Sequence, residues 1–152
     1  MLVKDVMSKN VITISPEDSI SDAIEKMAKN NISGLIVVDR EKVVGVISES
    51  DILKVFKSEV PEIGTSASPT LSIFLILEKG VKAISEMKKI RSLKVRDLMS
   101  KKVFYVKPEN TILEAARIMC KKDVRRLPVI DENGNLVGII SRTDILRALV
   151  SS

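Results

Sequence analysis

A tandem repeat constrains the fold of this chain more than any other feature. Residues 3–39 align with residues 95–131 without a gap, and residues 43–56 align with residues 136–149, so that 22 of 51 aligned positions are identical. The motifs VxDxMSK, AxxxM and GxISxxD occur in the same order in both copies, which chance similarity of amphipathic segments does not explain. The chain therefore consists of two related units of about fifty residues.

Each copy predicts a strand followed by a helix. Short strands over residues 11–14 and 103–106 end at a proline, which cannot donate to a sheet ladder. Ser19 and Thr111 are candidate N-caps, and the apolar residues after them recur at i, i+3, i+4 and i+7, as on one face of a helix. These residues are Ile20, Ala23, Ile24 and Met27 in the first copy, and Ile112, Ala115, Ala116 and Met119 in the second.

The rest of each copy predicts a β-hairpin and a final helix. Two apolar runs flank the turn DREK in the first copy and DENGN, with its Asn-Gly pair, in the second. The last helices open near Ser48 and Ser141. A unit of this size is too small to bury a good core alone. We therefore expect an α/β (α+β) fold with two strand–helix–strand–strand–helix repeats, packed sheet to sheet with pseudo-twofold symmetry.

The predicted organisation is repeat 1 over residues 1–57, a linker and inserted helix over 58–93, and repeat 2 over 94–152. The insert opens with the turn-rich sequence PEIGTSASP, and its apolar residues then recur at spacings of 4, 3, 4 and 3. They are Ile73, Leu77, Gly80, Ile84 and Met87. Two alternatives stay open: this stripe covers the core of its own chain, or it packs on a second chain.

Composition excludes several classes of function. The chain has no histidine, no tryptophan and one cysteine. The absence of histidine removes His-based acid–base catalysis and most transition-metal sites, so we expect neither an enzyme nor a metal protein. Cys120 is expected to be a small buried or half-buried side chain. The longest apolar run, residues 73–77, is far shorter than a membrane span, and we expect a cytoplasmic protein without a membrane segment.

The positive charge lies in the last third of the chain. Residues 94–152 contain 12 basic and 7 acidic residues, whereas residues 1–57 contain 8 and 9. A lysine-rich surface explains this distribution without a ligand. Nucleic acid or a phosphorylated small molecule would explain it with one.

The repeated heptads GVISESD and GIISRTD suggest a helix start with two possible uses. The glycine lets a ligand or a neighbouring backbone approach, and the serine and aspartate lie close together at a helix N-terminus. In the first interpretation Ser48 and Asp51, and likewise Ser141 and Asp144, form capping boxes. In the second, the carboxylate accepts hydrogen bonds from the two hydroxyls of a ribose. The residues alone do not decide between them.

The repeat, together with DLMSKKVFYVKPENTILEAARIM, RRLPVID and GIISRTD in its second copy, resembles the cystathionine-beta-synthase (CBS) domain pair, or Bateman module. The resemblance covers residues 1–57 and 94–150. It implies a non-enzymatic regulatory module that binds adenosine compounds (AMP, ADP, ATP or S-adenosylmethionine) in clefts between the repeats. It further implies a homodimer formed through helices and, since no effector domain is present, a separate effector protein that is still unknown.

The resemblance also implies site residues. Asp51 and Asp144 would bind ribose. Ser48 and Ser141 would lie near ribose and phosphate. The adenine pockets would be lined by Ser15, Ile20, Ile32 and Val46 in the first copy and by Lys107, Ile112, Val124 and Ile139 in the second.

The two copies differ where phosphate would bind. Arg125 and Arg126 match phosphate-binding positions of the family, whereas Ser33 and Gly34 occupy these positions in the first copy. Because a guanidinium suits phosphate geometry, we expect two unequal sites, or one vacant site. Nucleic-acid binding by the basic second repeat and a purely structural dimerisation module are the alternatives.

Overall fold

Helices and strands alternate along the computed structural model, which describes residues 1–56, 88 and 90–151. The predicted mixed α/β fold class is confirmed. The PEIGTSASP linker and the predicted helix with Ile73, Leu77, Gly80, Ile84 and Met87 lie outside the described residues.

The first copy has the predicted order of elements, preceded by one helical turn. The elements are α1 (Val3–Val6), β1 (Thr13–Ile14), α2 (Ile20–Asn30), β2 (Gly34–Asp39), β3 (Lys42–Ser48) and α3 (Glu49–Leu53), which continues as a 3-10 turn (Lys54–Phe56). The strands form one sheet in the order β1-β2-β3.

The second copy repeats this order except for its first strand. Its elements are α4 (Val95–Leu98), α5 (Ile112–Lys122), β4 (Arg126–Ile130), β5 (Leu136–Ser141) and α6 (Arg142–Ser151), and β4 pairs with β5 in an antiparallel sheet. The predicted strand over residues 103–106 is wrong. Only Val106 pairs there, through a single parallel bridge to Val129.

Pro128 explains the missing strand. The Val106 N–H donates to the Pro128 carbonyl at 3.1 Å, and the Ile130 N–H donates to the Val106 carbonyl at 2.9 Å. A second bridge, one residue earlier, would need an N–H on residue 128, which proline lacks. Ile36 occupies the equivalent position in the first copy, and Thr13 does extend the strand there.

The two hairpin turns differ in length, because residues 40–42 separate the aligned blocks in the first copy and residues 132–135, one residue more, separate them in the second. Arg40 and Glu41 form a two-residue loop with φ of 50° and 70°, the left-handed conformation that a type I′ turn needs at both central positions. In the second turn Gly134 alone is left-handed, with φ of 84°, and its N–H donates to the Asp131 carbonyl at 3.0 Å. The Asp131 side chain accepts from two further backbone N–H groups of this turn.

Helices α2 and α5 begin and end with local caps. The Ser19 hydroxyl accepts the N–H of Asp22 at 3.0 Å, and the Thr111 hydroxyl accepts the N–H of Glu114 at 3.2 Å. These bonds confirm the two predicted N-caps. Each helix ends at a left-handed residue, Asn31 in the first copy and the equivalent aspartate in the second.

The chain folds into two compact units that exchange their N-terminal segments. Unit 1 consists of Met1–Thr13, Ile36–Gly45 and Lys101–Ser152, and unit 2 consists of Ile14–Leu35 and Val46–Ser100. Unit 1 therefore contains α1 and the turn end of the first hairpin with most of the second copy, and unit 2 contains α4 with α2 and α3.

The exchanged segments dock through equivalent hydrogen bonds. In unit 1 the Val3 and Lys4 N–H groups donate to the carbonyls of Asn110 and Pro108, at 2.8 and 3.0 Å. In unit 2 the equivalent donors lie 92 residues further along the chain. The Val95 and Arg96 N–H groups donate to the carbonyls of Asp18 and Pro16, at 2.9 and 3.0 Å. The carbonyls of the two proline turns thus receive the first N–H groups of α1 and α4, which a helix cannot satisfy internally.

Apolar residues of the predicted helix stripes and of the strands form the core of each unit. Two stripe residues are exceptions: Ile24 is 41% exposed and Ala116 is half-buried. In unit 1 one cluster of buried side chains consists of Val3, Val106, Ile112, Ala115, Met119, Leu127, Val129, Ile140, Ile145 and Ala148. Ile36, Val37 and Ile130 are buried as well. In unit 2 they include Ile14, Ile20, Ala23, Met27, Leu35, Ile47, Ile52, Ile90 and Val95. Val3 and Val95, at 0% exposure, anchor the exchanged segments in these cores.

Cys120 is a correction to the sequence prediction, because its side chain is exposed. It follows Met119, which faces the core, and one residue along a helix turns the side chain by about 100° toward solvent. Within residues 1–56, 88 and 90–151, no helix is both long and apolar enough to span a bilayer.

Candidate functional site

The Ser48–Asp51 pair at the start of α3 forms a complete capping box. The Ser48 N–H donates to Asp51 Oδ2 at 2.9 Å, and Ser48 Oγ accepts the Asp51 N–H at 3.4 Å. The Ser48 hydroxyl also donates to Asp51 Oδ2 at 3.1 Å. Although aspartate is shorter than the usual glutamate, it reaches back far enough here.

The second heptad has the same geometry at the start of α6. The Ser141 N–H donates to Asp144 Oδ2 at 2.8 Å, and Ser141 Oγ accepts the Asp144 N–H at 3.1 Å. The capping-box interpretation is therefore confirmed in both copies.

Capping leaves acceptor positions free on the Asp51 and Asp144 carboxylates. In both boxes the backbone bond goes to Oδ2, and a carboxylate has about four lone-pair positions. Asp51 Oδ1 lies 3.9 Å from Lys54 Nζ, and 18% of the Asp51 side chain is exposed. Each aspartate can therefore hold its helix through one oxygen and still accept hydrogen bonds from a ligand through the other.

The strand residues before each serine pair with the exchanged segments. In unit 1, Ile139 and Ser8 exchange two backbone hydrogen bonds of 2.9 Å. In unit 2, Val46 and Ser100 exchange bonds of 2.9 and 2.8 Å. Both Val46 and Ile139 are half-buried, so their side chains keep some surface for a neighbour.

The residues before the two prolines begin tight turns. The Asp18 N–H donates to the Ser15 carbonyl at 3.1 Å, and the Ser15 N–H donates to Asp18 Oδ2 at 3.0 Å. The Asn110 N–H donates to the Lys107 carbonyl at 3.0 Å, and the Lys107 N–H donates to Asn110 Oδ1 at 2.7 Å. The main chains are thus fixed, while the Ser15 side chain is half-buried and Lys107 is exposed.

The candidate aliphatic residues divide into two groups. Ile20 is 0% and Ile112 is 9% exposed, so in this structure both serve the cores and offer a ligand almost no surface. Ile32 and Val124 are half-buried and follow the left-handed residues that end α2 and α5. The second pair is therefore available for contact with a ligand.

The register of the second hairpin brings a candidate phosphate-binding residue to the capping box. Arg126 stands directly opposite Ser141, and the Arg142 N–H donates to the Arg125 carbonyl at 3.0 Å. This bond makes Arg126 and Ser141 a non-hydrogen-bonded pair, in which side chains on the same face approach most closely. Arg125 and Arg126 are both exposed.

The first copy has the same backbone connection without the cations. The Glu49 N–H donates to the carbonyl of Ser33, an exposed residue, at 2.9 Å. A Cβ atom added to Gly34 would lie 3.8 Å from the Ser48 Cα. The position that Arg126 occupies beside Ser141 thus carries no side chain beside Ser48.

The structure adds Arg142 to the residues around the second box. Its Nε donates to the Val124 carbonyl at 3.2 Å, and its terminal nitrogen lies 3.5 Å from both the Met119 carbonyl and Asp123 Oδ1. In the sequence, Arg142 is one of the three variable positions of GxISxxD, and only its replacement by Glu49 in the first copy indicates a difference.

Two carboxylates among the described residues, those of Glu17 and Glu114, have lowered pKa values. The Lys94 ammonium and the Arg96 guanidinium, each 2.9 Å from a Glu17 oxygen, lower the pKa of Glu17. Hydrogen bonds from the Thr111 backbone and from Asn110 lower the pKa of Glu114. Among the described residues no three Cys, Asp or Glu side chains are arranged to hold a metal ion.

The repeated fold and the paired boxes define a known class of protein. The chain belongs to the CBS domain family, whose model matches residues 3–58 and 95–151.

Individual relatives extend this assignment. The chain is 40% identical to the uncharacterized protein MJ1426 of Methanocaldococcus jannaschii, over 99% of this chain and 92% of that protein. It spans only 22% to 61% of the length of several other curated relatives.

Two solved structures contain adenosine compounds. CBSX2 of Arabidopsis thaliana, solved in complex with AMP, is 29% identical, with a TM-score of 0.72 over 99% of this chain and 96% of that chain. The CBS domain pair of protein MJ0100, solved with 5'-methylthioadenosine and S-adenosyl-L-methionine, is 26% identical, with a TM-score of 0.66 over 99% of this chain and 97% of that chain.

Proposed function

We propose that this chain is a non-enzymatic regulatory module that binds an adenosine compound and passes the binding event to a separate effector protein. The observation that carries the proposal is the Ser141–Asp144 box, where one carboxylate oxygen caps α6 and the other can accept ribose hydroxyls. Each such charge-assisted hydrogen bond contributes about 1.5–3 kcal/mol. Support comes from CBSX2 and MJ0100, whose structures contain adenosine ligands.

The expected ligand is AMP, ADP, ATP or S-adenosylmethionine, bound as a regulator rather than as a cofactor. Ser48 and Asp51 repeat the same box in the first copy, so a second ligand position is part of the proposal. No catalytic residue is assigned. Regulation then requires that the ligand bind two states of the module with different affinity.

We also propose that the module is a homodimer formed through its helices. In unit 1, Leu146 and Val150 on α6 are 62% and 88% exposed, and Leu113 on the adjacent helix α5 is also exposed. Exposed apolar residues at i and i+4 of one helix form a stripe that a second copy would cover.

Nucleic-acid binding is the second candidate, and one observation favours it. The Lys102 and Lys122 ammonium groups lie 5.6 and 5.2 Å from the centre of the Phe104 ring, and Tyr105 beside it is 48% exposed. Cations with an exposed ring are the elements of single-strand recognition, but the chain has few aromatic residues for stacking. We rank this function below ligand sensing.

Calorimetric titration of the intact protein tests the proposal. The panel contains AMP, ADP, ATP, S-adenosylmethionine and adenosine, and a short oligonucleotide is titrated at two salt concentrations. We expect saturation by an adenosine compound at one or two molecules per chain. A strongly salt-dependent affinity for the oligonucleotide without binding of any adenosine compound would instead support the second candidate.

Asp144→Asn is the diagnostic variant. The amide keeps one oxygen for the cap but cannot accept both ribose hydroxyls, so we expect affinity to fall at least about tenfold. Asp22→Asn makes the same change in the capping box of α2, outside the proposed site, and should leave affinity unchanged. Equal affinity of the Asp144→Asn protein and the unaltered protein would refute the ribose assignment.

A further inference from the structure

Arg142 joins the end of α5 to the start of β4 in unit 1. Its Nε donates to the Val124 carbonyl, just beyond the C-terminus of α5, at 3.2 Å. Its terminal nitrogen lies 3.5 Å from the Met119 carbonyl, which already accepts the Asp123 and Val124 N–H groups. Its backbone N–H donates to the Arg125 carbonyl at 3.0 Å. One residue therefore holds the segment between α5 and β4 through both its side chain and its main chain.

The segment that Arg142 holds carries the candidate phosphate-binding residues. Arg125 is bonded to Arg142 through its carbonyl, and Arg126 stands opposite Ser141 of the capping box. Both arginine side chains are exposed and could sample many conformations without a fixed main chain. Two successive guanidinium groups bind one phosphate well only if their starting points are fixed relative to it.

The first copy lacks both an equivalent of Arg142 and equivalents of the arginine pair Arg125 and Arg126. Glu49 occupies the position equivalent to Arg142, and a carboxylate has no proton to donate to the carbonyls that end a helix. Ser33 and Gly34 occupy the positions of Arg125 and Arg126. The arginine pair and the residue that fixes it therefore occur in the same copy.

We propose that Arg142 is a positioning residue that makes the second-copy site selective for adenosine compounds with a 5'-phosphate over those without one. This inference rests on the proposed function and names the ligand class of that site. The 46% exposed Arg142 side chain is directed to the end of α5 and to Val124 before β4, and it acts on the ligand through Arg125 and Arg126.

A double-mutant cycle on the intact protein tests this role. The affinities for AMP and for adenosine are measured for the unaltered protein, for Arg142→Ala, for Arg125→Ala/Arg126→Ala, and for the triple variant. We expect Arg142→Ala to weaken AMP binding about tenfold and adenosine binding less than about twofold. In the background without the arginine pair, Arg142→Ala should have no further effect on AMP.

Two controls isolate the mechanism. Arg117→Ala removes the same charge from the exposed side of α5 and should leave both affinities unchanged. Arg142→Gln keeps an amide donor and should retain part of the preference for AMP. If Arg142→Ala does not fold, as judged by thermal unfolding, the cycle is completed with the glutamine variant.

The outcomes separate this inference from the proposed function. If the unaltered protein binds no adenosine compound, the proposed function is wrong and this inference falls with it. If the unaltered protein binds adenosine compounds but Arg142→Ala lowers the affinities for AMP and adenosine equally, or lowers neither affinity, only the positioning role is wrong. Additive effects in the triple variant would mean that Arg142 meets the phosphate directly, which also overturns the positioning role.

Discussion

Gly138 and Met7 approach each other so closely that no side chain fits at the glycine. A Cβ atom on Gly138 would lie 2.6 Å from Met7 Sδ and 2.9 Å from the Ser8 carbonyl oxygen. The first residue of the GIISRTD heptad is therefore a glycine because the exchanged N-terminal segment passes over it, independently of any ligand. The heptad thus combines a docking position with a helix cap.

Gly138→Ala is expected to destabilise unit 1 by about 1–3 kcal/mol, the usual cost of overpacking a tight contact. The Met7 side chain can move, but the Ser8 carbonyl belongs to a backbone bridge to Ile139 and cannot move cheaply. Urea denaturation measures the loss as a lower unfolding midpoint.

Gly34→Ala is the matched control for this prediction. A Cβ atom there would lie 3.3 Å from the Ile47 carbonyl oxygen and farther from its other neighbours, so the loss should be clearly smaller. Met7→Ala combined with Gly138→Ala should recover only part of the loss, since the carbonyl contact remains. Equal midpoints for the two glycine variants would contradict the close approach.

The hairpin turn at Arg40 and Glu41 offers a stabilising change. Both residues are left-handed, which costs about 1–2 kcal/mol per ordinary residue. Replacement by Asn-Gly, the preferred pair of a type I′ turn, should raise stability by about 1 kcal/mol after the added freedom of the unfolded glycine is counted. Thermal or urea unfolding checks the gain.

Arg40→Ala/Glu41→Ala separates backbone preference from side-chain effects. It removes both side chains but supplies no residue that favours the left-handed region, so it should not stabilise the protein. A similar gain in both variants would assign the effect to side-chain removal and contradict the strained turn.

Most of the local structure could be predicted from the sequence because its signals are local. The i, i+3, i+4 pattern from Ile20 and Ile112, the N-caps, and the Asn-Gly turn each report on a few neighbouring residues. The strand over residues 103–106 was mispredicted because its pairing depends on Pro128, more than twenty residues away, although a proline without an N–H could have indicated the loss.

The exchange of segments could not be read from the sequence. VxDxMSK forms a single helical turn, and its partners at Pro108 and Asn110 lie about one hundred residues away. Both copies carry the same VxDxMSK motif and the same proline turn. The sequence is therefore equally compatible with each motif binding the proline turn of its own copy or that of the other copy. The role of Arg142 is hidden for a related reason, since its acceptors are backbone carbonyls, which no residue type identifies.

The ion pairs of Glu17 predict an acid-sensitive contribution to the stability of unit 2. Because Lys94 and Arg96 hold its pKa below the ordinary 4.5, this contribution is present above about pH 4.5 and is lost as pH falls through the depressed pKa. Glu17→Gln should therefore be less stable than the unaltered protein near neutral pH, and the difference should disappear in acid. Urea midpoints measured across this pH range test the sign.

Glu109→Gln is the matched control. Glu109 occupies the equivalent position of the second copy, where Leu2 replaces Lys94, so its substitution should change the midpoint less. The contact is exposed, and added salt should shrink the Glu17 effect. A Glu17→Gln difference that persists unchanged at acid pH would show that it arises from something other than the charge.

The exposed stripe on α6 predicts how the module associates. Leu146 and Val150 are spaced by one helical turn and are 62% and 88% exposed, so covering them with the same stripe of a second copy would remove apolar surface from water. Leu146→Asp places a charge in this stripe and should convert the proposed dimer to a monomer in light scattering at micromolar concentration. Leu113→Asp tests whether α5 takes part, and Arg117→Asp on the same helix controls for the added negative charge.

A chain that is monomeric before any substitution would refute the homodimer, and a dimer that survives both leucine changes would place the contact elsewhere on the protein.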